Sequence, residues 1–329
     1  MSLQRERLAE LLDRVQRKRI LVIGDVMLDV YLAGDVERIS PEAPVPVVRV
    51  RRRLHALGGA ANVAQNVLAV GARCDLVAAV GADAAGATIR QMLRALGATD
   101  EGLLTAQRCT TQKTRVVARA QQLVRFDEEE DTDLAPEEIA ALLARVESAI
   151  ASADAVVLED YNKGVLTAPV ITAVVQMANA RGVPVVVDPK YRNFFDFRGA
   201  TIFKPNRREL EAALGAALDV DHPETLPAVL ERLGVQNLLL TLSEKGMVLF
   251  SGHGEVIRVP TVARQVYDVV GAGDTVSAFL AAILAAGGSP AEAAIVANIA
   301  AGIEVGKLGA ATVTREEVLS YVDSHAIVV

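Results

Sequence analysis

The sequence predicts an α/β fold with a mainly parallel sheet between helices. Strand-like apolar runs alternate with helix-like runs along most of the 329 residues, which is the pattern of successive βαβ units. The first apolar run, residues 19–25, ends in Gly24-Asp25, as expected of a buried strand that reaches a polar edge. Hydrophobic residues make up 51% of the chain but aromatic ones only 4%, so we expect a core of Ala, Val, Leu and Ile, typical of buried parallel sheets.

The other elements are predicted from periodicity and from Gly and Pro boundaries. Residues 58–70 read as a Gly-Gly turn followed by a helix. Further strands are predicted at residues 74–80, 153–158, 183–188, 238–242 and 247–250. Further helices are predicted at residues 84–96, 136–151, 168–180, 207–213, 223–233, 273–286 and 290–306.

Two segments interrupt this alternation and predict a small strand-rich cover. Residues 31–55 contain Pro41, Pro44 and Pro46 followed by alternating Val and Arg, which excludes a helix and favours edge strands or loops. Residues 113–126 are strand-rich as well. We expect one domain over residues 1–329 with a β-strand lid from about 30–57 and 108–127, whose Val-rich edges would also suit a dimer contact. The acidic run at residues 128–133, after the second of these segments, predicts a solvated loop.

Composition excludes several classes of protein. A net charge of −7 argues against a nucleic-acid-binding surface, although it is compatible with a local basic pocket for a phosphate. Cys74 and Cys109 are far apart and form no CxxC, so neither a structural zinc site nor a disulfide framework is expected. Residues 3–17 are charged and amphipathic, unlike a signal peptide, and the apolar run at residues 276–286 is too short to span a bilayer. We therefore expect a cytoplasmic protein with no membrane segment.

Polar residues follow several predicted strands, at the edge where open parallel sheets bind ligands. They are Asp25 and Asp29 after the first strand, then Asp160, Asp188, Thr241 and Ser243. Each one alone is compatible with a helix cap or a turn residue. Several together predict a shared cleft.

The sharpest local feature is the loop Gly271-Ala272-Gly273-Asp274, which leads directly into an apolar helix. Glycines allow a tight path in which several N–H groups point one way, and a helix N-terminus attracts an anion. A carboxylate beside an anion site repels a bound phosphate. It makes sense as a base that removes a proton from a nucleophile while the amides hold a transferring phosphoryl group. The alternative is a glycine-rich loop with Asp274 as the helix N-cap.

Two better-known phosphate motifs do not occur in the sequence. The P-loop needs Gly-Lys-Ser/Thr with a glycine upstream, but Gly306-Lys307 is followed by Leu308 and has no such glycine. The dinucleotide fingerprint needs a third glycine where Val276 stands. A nicotinamide-dependent oxidoreductase is therefore disfavoured.

A second polar motif is Asn206-x-x-Glu209, which opens a predicted helix. Residues three apart on a helix lie on one face, so both side chains can approach one ligand. An amide and a carboxylate near a nucleotide suit Mg²⁺, bound through water because that ion keeps much of its hydration. The alternative is a capping box, with Asn206 as the cap, and the two interpretations are compatible.

Residues 58–62 (Gly-Gly-Ala-Ala-Asn) and 268–275 resemble the two signatures of the ribokinase/PfkB carbohydrate kinase family. They are in the family's order and about 210 residues apart, with the Asn206–Glu209 motif between them. The resemblance extends from about residue 19 to residue 323. It implies a ribokinase-like fold, ATP and Mg²⁺ as cofactors, and phosphoryl transfer to a sugar hydroxyl.

Further motifs resemble the kinase part of the bacterial heptose-phosphate kinase/adenylyltransferases. They lie at residues 24–29, 38–48, 121–125, 159–164 and 266–268. That family phosphorylates the anomeric hydroxyl of D-glycero-β-D-manno-heptose 7-phosphate to the 1,7-bisphosphate, a precursor of ADP-heptose for lipopolysaccharide cores. With no nucleotidyltransferase segment after the kinase part, the chain resembles a stand-alone kinase form. Another ribokinase-family sugar, sugar-phosphate or nucleoside kinase is the alternative, and a sugar-binding protein without catalysis is a more distant one.

The resemblance also assigns roles to individual residues. It implies Asp274 as the catalytic base and Gly271, Ala272 and Gly273 as the anion hole. The implied nucleotide-binding residues are Asn206, Glu209, Thr241, Ser243, Gly246 and Asn298, with Asn206 and Glu209 also at the Mg²⁺, and the implied sugar-binding residues are Asp29, Gly58, Gly59, Asn62, Asp160 and Lys163. Ser243 stands where the wider family commonly has glycine.

A sugar that already carries a phosphate needs cations to bind it. Arg engages phosphate with two parallel hydrogen bonds and Lys does so as a point charge. The candidates are Arg38, Arg108, Lys113, Arg115, Arg119, Arg125, Lys163 and Lys190, and the sequence does not choose among them. We expect a homodimer that binds a sugar phosphate and ATP, with no nucleic acid or membrane partner.

Overall fold

The computed structural model describes residues 3–118, 121–220, 226–263, 266–307 and 309–324. Its strands, in chain order, are β1 (Arg19–Gly24), β2 (Val26–Ile39), β3 (Pro46–Gly59), β4 (Arg73–Gly81), β5 (Leu103–Ala106), β6 (Gln112–Ala118), β7 (Gln121–Glu128), β8 (Ala155–Glu159), β9 (Val185–Asp188), β10 (Ile202–Phe203), β11 (Asn237–Thr241), β12 (Met247–Ser251) and β13 (Val256–Val259). Its helices are α1 (Arg5–Val15), α2 (Ala60–Ala69), α3 (Ala84–Ala95), α4 (Pro136–Ile150), α5 (Ala168–Asn179), α6 (Arg207–Leu214), α7 (Leu226–Leu233), α8 (Ala272–Ala285), α9 (Pro290–Glu304) and α10 (Arg315–Ser324).

The larger sheet has nine strands in the order β13-β12-β11-β10-β9-β8-β1-β4-β5. Neighbouring strands are parallel from β11 to β5, and β12 and β13 are antiparallel additions at one side. The carboxyl ends of β1, β8, β9, β10 and β11 therefore lie along one edge, where open α/β sheets bind ligands. This arrangement confirms the predicted α/β fold with a mainly parallel sheet.

Helices cover both faces of the larger sheet, because successive side chains of a buried strand point to opposite sides. In β1, Ile20 and Val22 belong to one hydrophobic core and Leu21 and Ile23 to the other. Helices α1, α2, α3, α8 and α9 pack in the first core, and helices α4, α5, α6 and α7 pack in the second. The apolar strands predicted from composition are thus buried on both faces.

A second sheet has four strands in the order β3-β2-β6-β7. It is connected closely to the larger sheet, since Asp25 alone separates β1 from β2, and β3 leads directly into α2. Several of its large apolar side chains are exposed, namely Ile39, Val50, Leu54, Val124 and Phe126. The strands occupy the two segments that were predicted to interrupt the βαβ alternation.

Some elements differ from the prediction. Strands β5, β10 and β13 were not predicted, because runs of two to four residues are too short to show a period. The ten-residue helix α10 was not predicted either. The second sheet also begins earlier than expected, at Val26. The strand-rich stretch at 113–126 is two antiparallel strands, and residues 119–120 between them lie outside the described residues. The helix predicted from residue 223 is described from Leu226 onwards.

Candidate active site

The site is built around the first turn of α8, at the carboxyl edge of the larger sheet. The helix begins after Gly271, whose φ of +96° favours glycine, and no side chain caps its N-terminus. A Cβ atom at Gly271 would lie 2.8 Å from the amide nitrogen of Asn62, so the loop passes too close to α2 to carry a side chain. The first N–H groups of a helix have no acceptor within it, so this turn presents hydrogen-bond donors to an anion.

Asp274 lies in this first turn with 4% of its surface exposed. Its carboxylate accepts hydrogen bonds from the side-chain amide of Asn62, at 2.6 Å, and from the hydroxyl of Tyr161, at 2.9 Å. The N-cap position belongs to Gly271, so the alternative in which Asp274 caps the helix is wrong. The Asn62 contact brings the two signature segments of the sequence together.

Burial raises the pKa of Asp274 to about 6, and the nearby charge of Asp188 acts in the same direction. The hydrogen bonds from Asn62 and Tyr161 and the positive charge of Lys204 oppose this shift in pKa, because they favour the ionised form. At neutral pH the carboxylate is therefore mostly ionised, yet its pKa is close enough to the ambient pH for efficient proton acceptance. A general base needs this combination.

A buried group of charged residues, absent from the predicted site list, lies beside Asp274. Glu159 ends β8, Asp188 ends β9 as its direct neighbour in the register, and Lys204 follows β10. Carboxylate oxygens of Glu159, Asp188 and Asp274 lie within 4.8 Å of one another. Lys204 Nζ lies 2.7 Å from Asp188 Oδ2. Three carboxylates this close favour a cation, and Lys204 already supplies one.

Asn206 and Glu209 form the capping box that the sequence allowed. The Asn206 side chain accepts from the Glu209 N–H at 2.9 Å, and the Glu209 carboxylate accepts from the Asn206 N–H at 2.9 Å. The other Glu209 oxygen binds Lys190, whose ammonium lies 5.4 Å from the ring centroid of Tyr161. Both motif residues lie at the carboxyl edge of the sheet, and their role at Mg²⁺ stays a prediction.

A cleft of about 540 Å³ lies on one side of the α8 N-terminus, within the usual size range of small-molecule sites. It brings together most of the predicted nucleotide residues, but Glu209 does not line it. The lining residues include Asn206, Thr241, Ser243, Gly246 and Asn298, the anion-hole residues Ala272 and Gly273, and Lys204 and Val269. The Asn298 side chain donates to the Pro260 carbonyl at 2.8 Å. Val269, on the cleft wall, is 67% exposed.

The loop after β11 explains the glycine preference at position 243. Ser243 has a φ of +53°, in the left-handed region that favours glycine, and opens a short 3-10 turn, Ser243–Lys245. Gly246 has a φ of +86°, and a Cβ atom there would lie 2.2 Å from the Val259 carbonyl oxygen. The loop therefore keeps its tight path even though serine replaces glycine at the first position.

Three of the predicted sugar residues, Asp29, Gly58 and Gly59, lie in the second sheet. Asp29 is buried and bonded to Arg115. A Cβ atom at Gly58 would lie 2.6 Å from Asp29 Oδ2, and one at Gly59 would lie 2.3 Å from the Asp25 carbonyl oxygen. The two glycines thus let β3 pass close to the ends of β1 and β2.

Two buried aspartates hold the loop after β8 in different ways. The Asp25 carboxylate accepts hydrogen bonds from the backbone N–H groups of Tyr161, Lys163 and Val165, at 2.8, 2.9 and 3.2 Å. Asp25 therefore acts as the turn residue that the sequence allowed. Asp160 Oδ1 accepts the Asn162 N–H at 2.7 Å, whereas its buried Oδ2 has no partner in the described part of the chain. Burial, followed by the charge of Asp25, raises the pKa of Asp160 to about 7.

Most of the candidate phosphate-binding cations already contact a protein oxygen. Lys113 and Lys163 bind Glu129 at 3.1 and 2.8 Å. The other pairs are Arg115 with Asp29, Arg125 with Asp127, Lys190 with Glu209, and Arg108 with the carbonyls of Glu130 and Thr132. Arg38 lies on the exposed part of β2. Arg119 lies outside the described residues. The acidic run predicted as a solvated loop therefore includes a residue, Glu129, that binds two lysines.

Comparison with known proteins places this site in a family. Residues 17–317 match the pfkB family carbohydrate kinases. The chain belongs to this family. Over 324 residues the kinase is 45% identical to Bifunctional protein HldE of Rhodospirillum rubrum, and the match covers 97% of this chain and 65% of that protein. The chain thus spans about two thirds of the length of the curated relatives it matches.

Solved structures share the fold. Escherichia coli phosphofructokinase-2, solved in complex with potassium, has a TM-score of 0.78 at 19% identity, covering 93% of this chain and 99% of that one. Arabidopsis thaliana ribokinase, solved with ribose and ATP, has a TM-score of 0.73 at 21% identity, covering 92% and 98%. These likenesses confirm the predicted ribokinase-like fold. Family membership makes the chain a carbohydrate kinase, a phosphotransferase.

Sequence reasoning predicted Asp188 at a shared cleft, but it missed Tyr161 as a partner of Asp274, and Glu159 and Lys204 as its charged neighbours. The available signal was position, since Glu159 and Asp188 end neighbouring parallel strands and Lys204 directly precedes the Pro205-Asn206 step. Among the described residues, no helix is long and apolar enough to cross a membrane.

Proposed function

We propose that this kinase transfers the γ-phosphoryl group of ATP to the anomeric hydroxyl of D-glycero-β-D-manno-heptose 7-phosphate. The product is the 1,7-bisphosphate, in the route to ADP-heptose for lipopolysaccharide cores. Buried Asp274 at the uncapped start of α8, between the 540 Å³ cleft and Asn62, is the observation that carries the transfer step. The 45% identity to Bifunctional protein HldE and the motifs at residues 24–29 and 159–164 support the heptose phosphate as acceptor.

In the proposed step, Asp274 accepts the proton of the sugar hydroxyl while the hydroxyl oxygen forms a bond to the γ-phosphorus. The bond from the γ-phosphorus to the bridging oxygen breaks, and its electron pair leaves with ADP. N–H groups of residues 271–274 donate to the equatorial oxygens, where negative charge must be stabilised. General base assistance of this kind is worth roughly 10²–10⁴-fold in rate.

Asn206 and Glu209 fit a Mg²⁺ ion that is bound through water. Both oxygens of Glu209 already have protein partners, the Asn206 N–H and Lys190, and Mg²⁺ gives up its own water reluctantly. The carboxylate would therefore hold the hydration shell of the ion near the triphosphate, while Lys190 keeps the carboxylate oriented. When bound, Mg²⁺ neutralises charge on the β- and γ-phosphates.

We propose that Asp29, Gly58, Gly59, Asn62, Asp160 and Lys163 line the acceptor site. The buried Oδ2 of Asp160 supports this, because such an atom is normally hydrogen-bonded and a sugar hydroxyl can supply the donor. Lys113 and Lys163 meet at Glu129, so they offer two ammonium groups close together for the acceptor phosphate.

We further propose that both sheets belong to one kinase domain, over residues 1–329, in which the second sheet acts as a lid from about 30–57 and 108–127. The exposed apolar side chains of this sheet support a homodimer built through it, because edge strands and apolar patches of this kind favour a protein partner. Sedimentation at micromolar concentration tests the dimer, and a monomer there would contradict it. We place the enzyme in the cytoplasm, with ATP and a sugar phosphate as ligands and no nucleic-acid partner.

The test is ADP release with a panel of sugars and sugar phosphates, followed by phosphorus NMR of the product to locate the new ester. We expect turnover with heptose 7-phosphate and a new phosphate at the anomeric carbon. Turnover with ribose or a fructose phosphate, and none with heptose 7-phosphate, would replace the acceptor and keep the kinase. No ADP release with any acceptor would refute the proposed step.

A further inference from the structure

The step proposed for Asp274 leaves a buried charged cluster without a role. The cluster consists of Glu159, Asp188 and Lys204, which stand at the carboxyl ends of the adjacent strands β8, β9 and β10. Glu159 and Lys204 are 0% and 3% exposed. Burying a charged pair costs desolvation, and apolar side chains of similar size usually give equal or greater stability. The cluster therefore calls for a reason other than stability.

The position of Lys204 suggests that reason. Its side chain lines the 540 Å³ cleft, as do Ala272 and Gly273 at the start of α8. A Cβ atom at Gly273 would lie 3.7 Å from Lys204 Nζ and 3.5 Å from Asp188 Oδ2. The ammonium group therefore lies close to the first turn of α8, whose N–H groups are proposed to bind the phosphoryl group.

The charges in the cluster leave Lys204 able to serve an incoming anion. If Glu159, Asp188 and Asp274 were all ionised, two of three buried negative charges would be uncompensated by the one ammonium, which is very unfavourable. Burial, followed by the charges of Asp188 and Asp274, raises the pKa of Glu159 well above its ordinary value. Neither Glu159 oxygen has a partner among the described residues if it is ionised, whereas a protonated Glu159 can donate to its neighbour Asp188.

We propose that Lys204 is a further phosphate-binding residue, whose ammonium donates to a non-bridging oxygen of the phosphoryl group in transfer. Asp188 is its positioning residue, and protonated Glu159 in turn holds Asp188. Lys204 keeps its proton throughout, and the proton of the sugar hydroxyl still goes to Asp274. This inference rests on the proposed transfer step, and it adds a point charge beside the backbone donors of residues 271–274.

The first test is Lys204→Met, which keeps the length of the side chain and removes the charge. We expect kcat to fall roughly 10²–10³-fold, the usual effect of removing one donor to transition-state charge. Affinity for the imido analogue of ATP should fall about tenfold, while affinity for ADP changes less than about twofold, since ADP lacks the group that Lys204 contacts. Equal losses for both nucleotides, or none, would overturn the proposal.

A double variant separates this role from a structural one. Lys204→Met alone leaves Asp188 buried without its cation, so part of any defect could reflect folding. Asp188→Asn/Lys204→Met removes both charges, and we expect its melting temperature to recover towards that of the wild type while kcat stays low. Recovery of kcat together with stability would mean that Lys204 only neutralises Asp188, and the proposal would fail.

Lys18→Met is the matched control. Lys18 also forms an ion pair with an aspartate, Asp154, at 2.9 Å, but just before β1, at the amino edge of the sheet. The kcat of the Lys18→Met variant and its affinities for both nucleotides should match those of the wild type. All kinetic comparisons use an acceptor that the wild type phosphorylates. If the wild type phosphorylates none, the proposed function fails, and the two nucleotide affinities still decide the role of Lys204, because calorimetry needs no acceptor.

Discussion

Helices α8 and α9 follow each other in the chain and carry an acidic residue at the same position of the first turn, but they begin in opposite ways. In α9, Ser289 accepts from the Glu292 N–H at 3.2 Å and Glu292 accepts from the Ser289 N–H at 2.8 Å, so the helix start is closed by its own residues. In α8 the cap is Gly271, and the carboxylate of Asp274 binds Asn62 and Tyr161 instead.

The difference fits the proposed roles, in which Glu292 stabilises its helix and Asp274 acts in the phosphoryl transfer. A capping box satisfies orphan N–H groups and adds stability. The start of α8 has no such box, and a buried carboxylate lies next to its N–H groups. The four predictions below test this contrast, from the largest expected effect to the smallest.

Asp274→Asn should lower kcat by about 10²–10⁴-fold while nucleotide binding is retained, because the amide cannot take the proton of the acceptor hydroxyl. The matched control is Glu292→Gln, at the same position of α9, which should keep wild-type kcat. Steady-state kinetics and nucleotide calorimetry measure both. Near wild-type turnover of Asp274→Asn would remove the base from the mechanism.

Gly271→Ala should lower kcat by at least about tenfold, since a misplacement of about 1 Å in reacting groups can cost 10²-fold. The new Cβ would lie 2.8 Å from the Asn62 amide, and a φ of +96° disfavours any other residue. Gly287, after the other end of α8, also has a positive φ, of +84°, but its Cβ would lie 3.9 Å from Arg14 Nη1, an ordinary contact. Gly287→Ala should therefore lose stability without losing activity, and equal activity losses would contradict the special role of the α8 start.

Activity should fall about tenfold per pH unit below pH 6. The pKa of Asp274 is raised to about 6, and the base works only when ionised, so protonation removes activity as the pH falls through that value. The measurement is kcat/KM for the acceptor between pH 5 and pH 8 at saturating ATP. A flat profile over this range would mean that a group with a lower pKa accepts the proton.

Ser289→Ala should lower the free energy of unfolding by about 1 kcal/mol, the usual cost of losing a serine cap, and should leave kcat unchanged. Urea unfolding followed by circular dichroism measures the first, and the kinase assay measures the second. A loss of activity here would show that the start of α9 is coupled to the site, against the contrast drawn above.

The sequence predicted the larger sheet well wherever an apolar run was long enough to show its period, as in β1, β4 and β8. It failed for the two-residue β10, whose place in the sheet is set by its neighbours. The fold class itself is confirmed. Asp274 was predicted as a base, with the glycines beside it, from the chemistry of one loop. The sugar-binding and nucleotide-binding roles of the other segments were predicted from a family resemblance.

What could not be predicted depends on contacts between distant parts of the chain. Tyr161 and Asn62 lie 113 and 212 residues from Asp274, and no local pattern marks their hydroxyl and amide as its partners. The raised pKa of Glu159 likewise follows only from burial beside two other carboxylates. Strand ends identify the edge of the sheet, but not which side chains there touch one another.

The exposed wall of the 540 Å³ cleft has a practical consequence. The chain contains no tryptophan, and Val269 is 67% exposed on that wall. A Val269→Trp variant would carry a single indole, whose emission shifts when a ligand excludes water from it. Nucleotide binding could then be followed optically, with no background and before any acceptor is known.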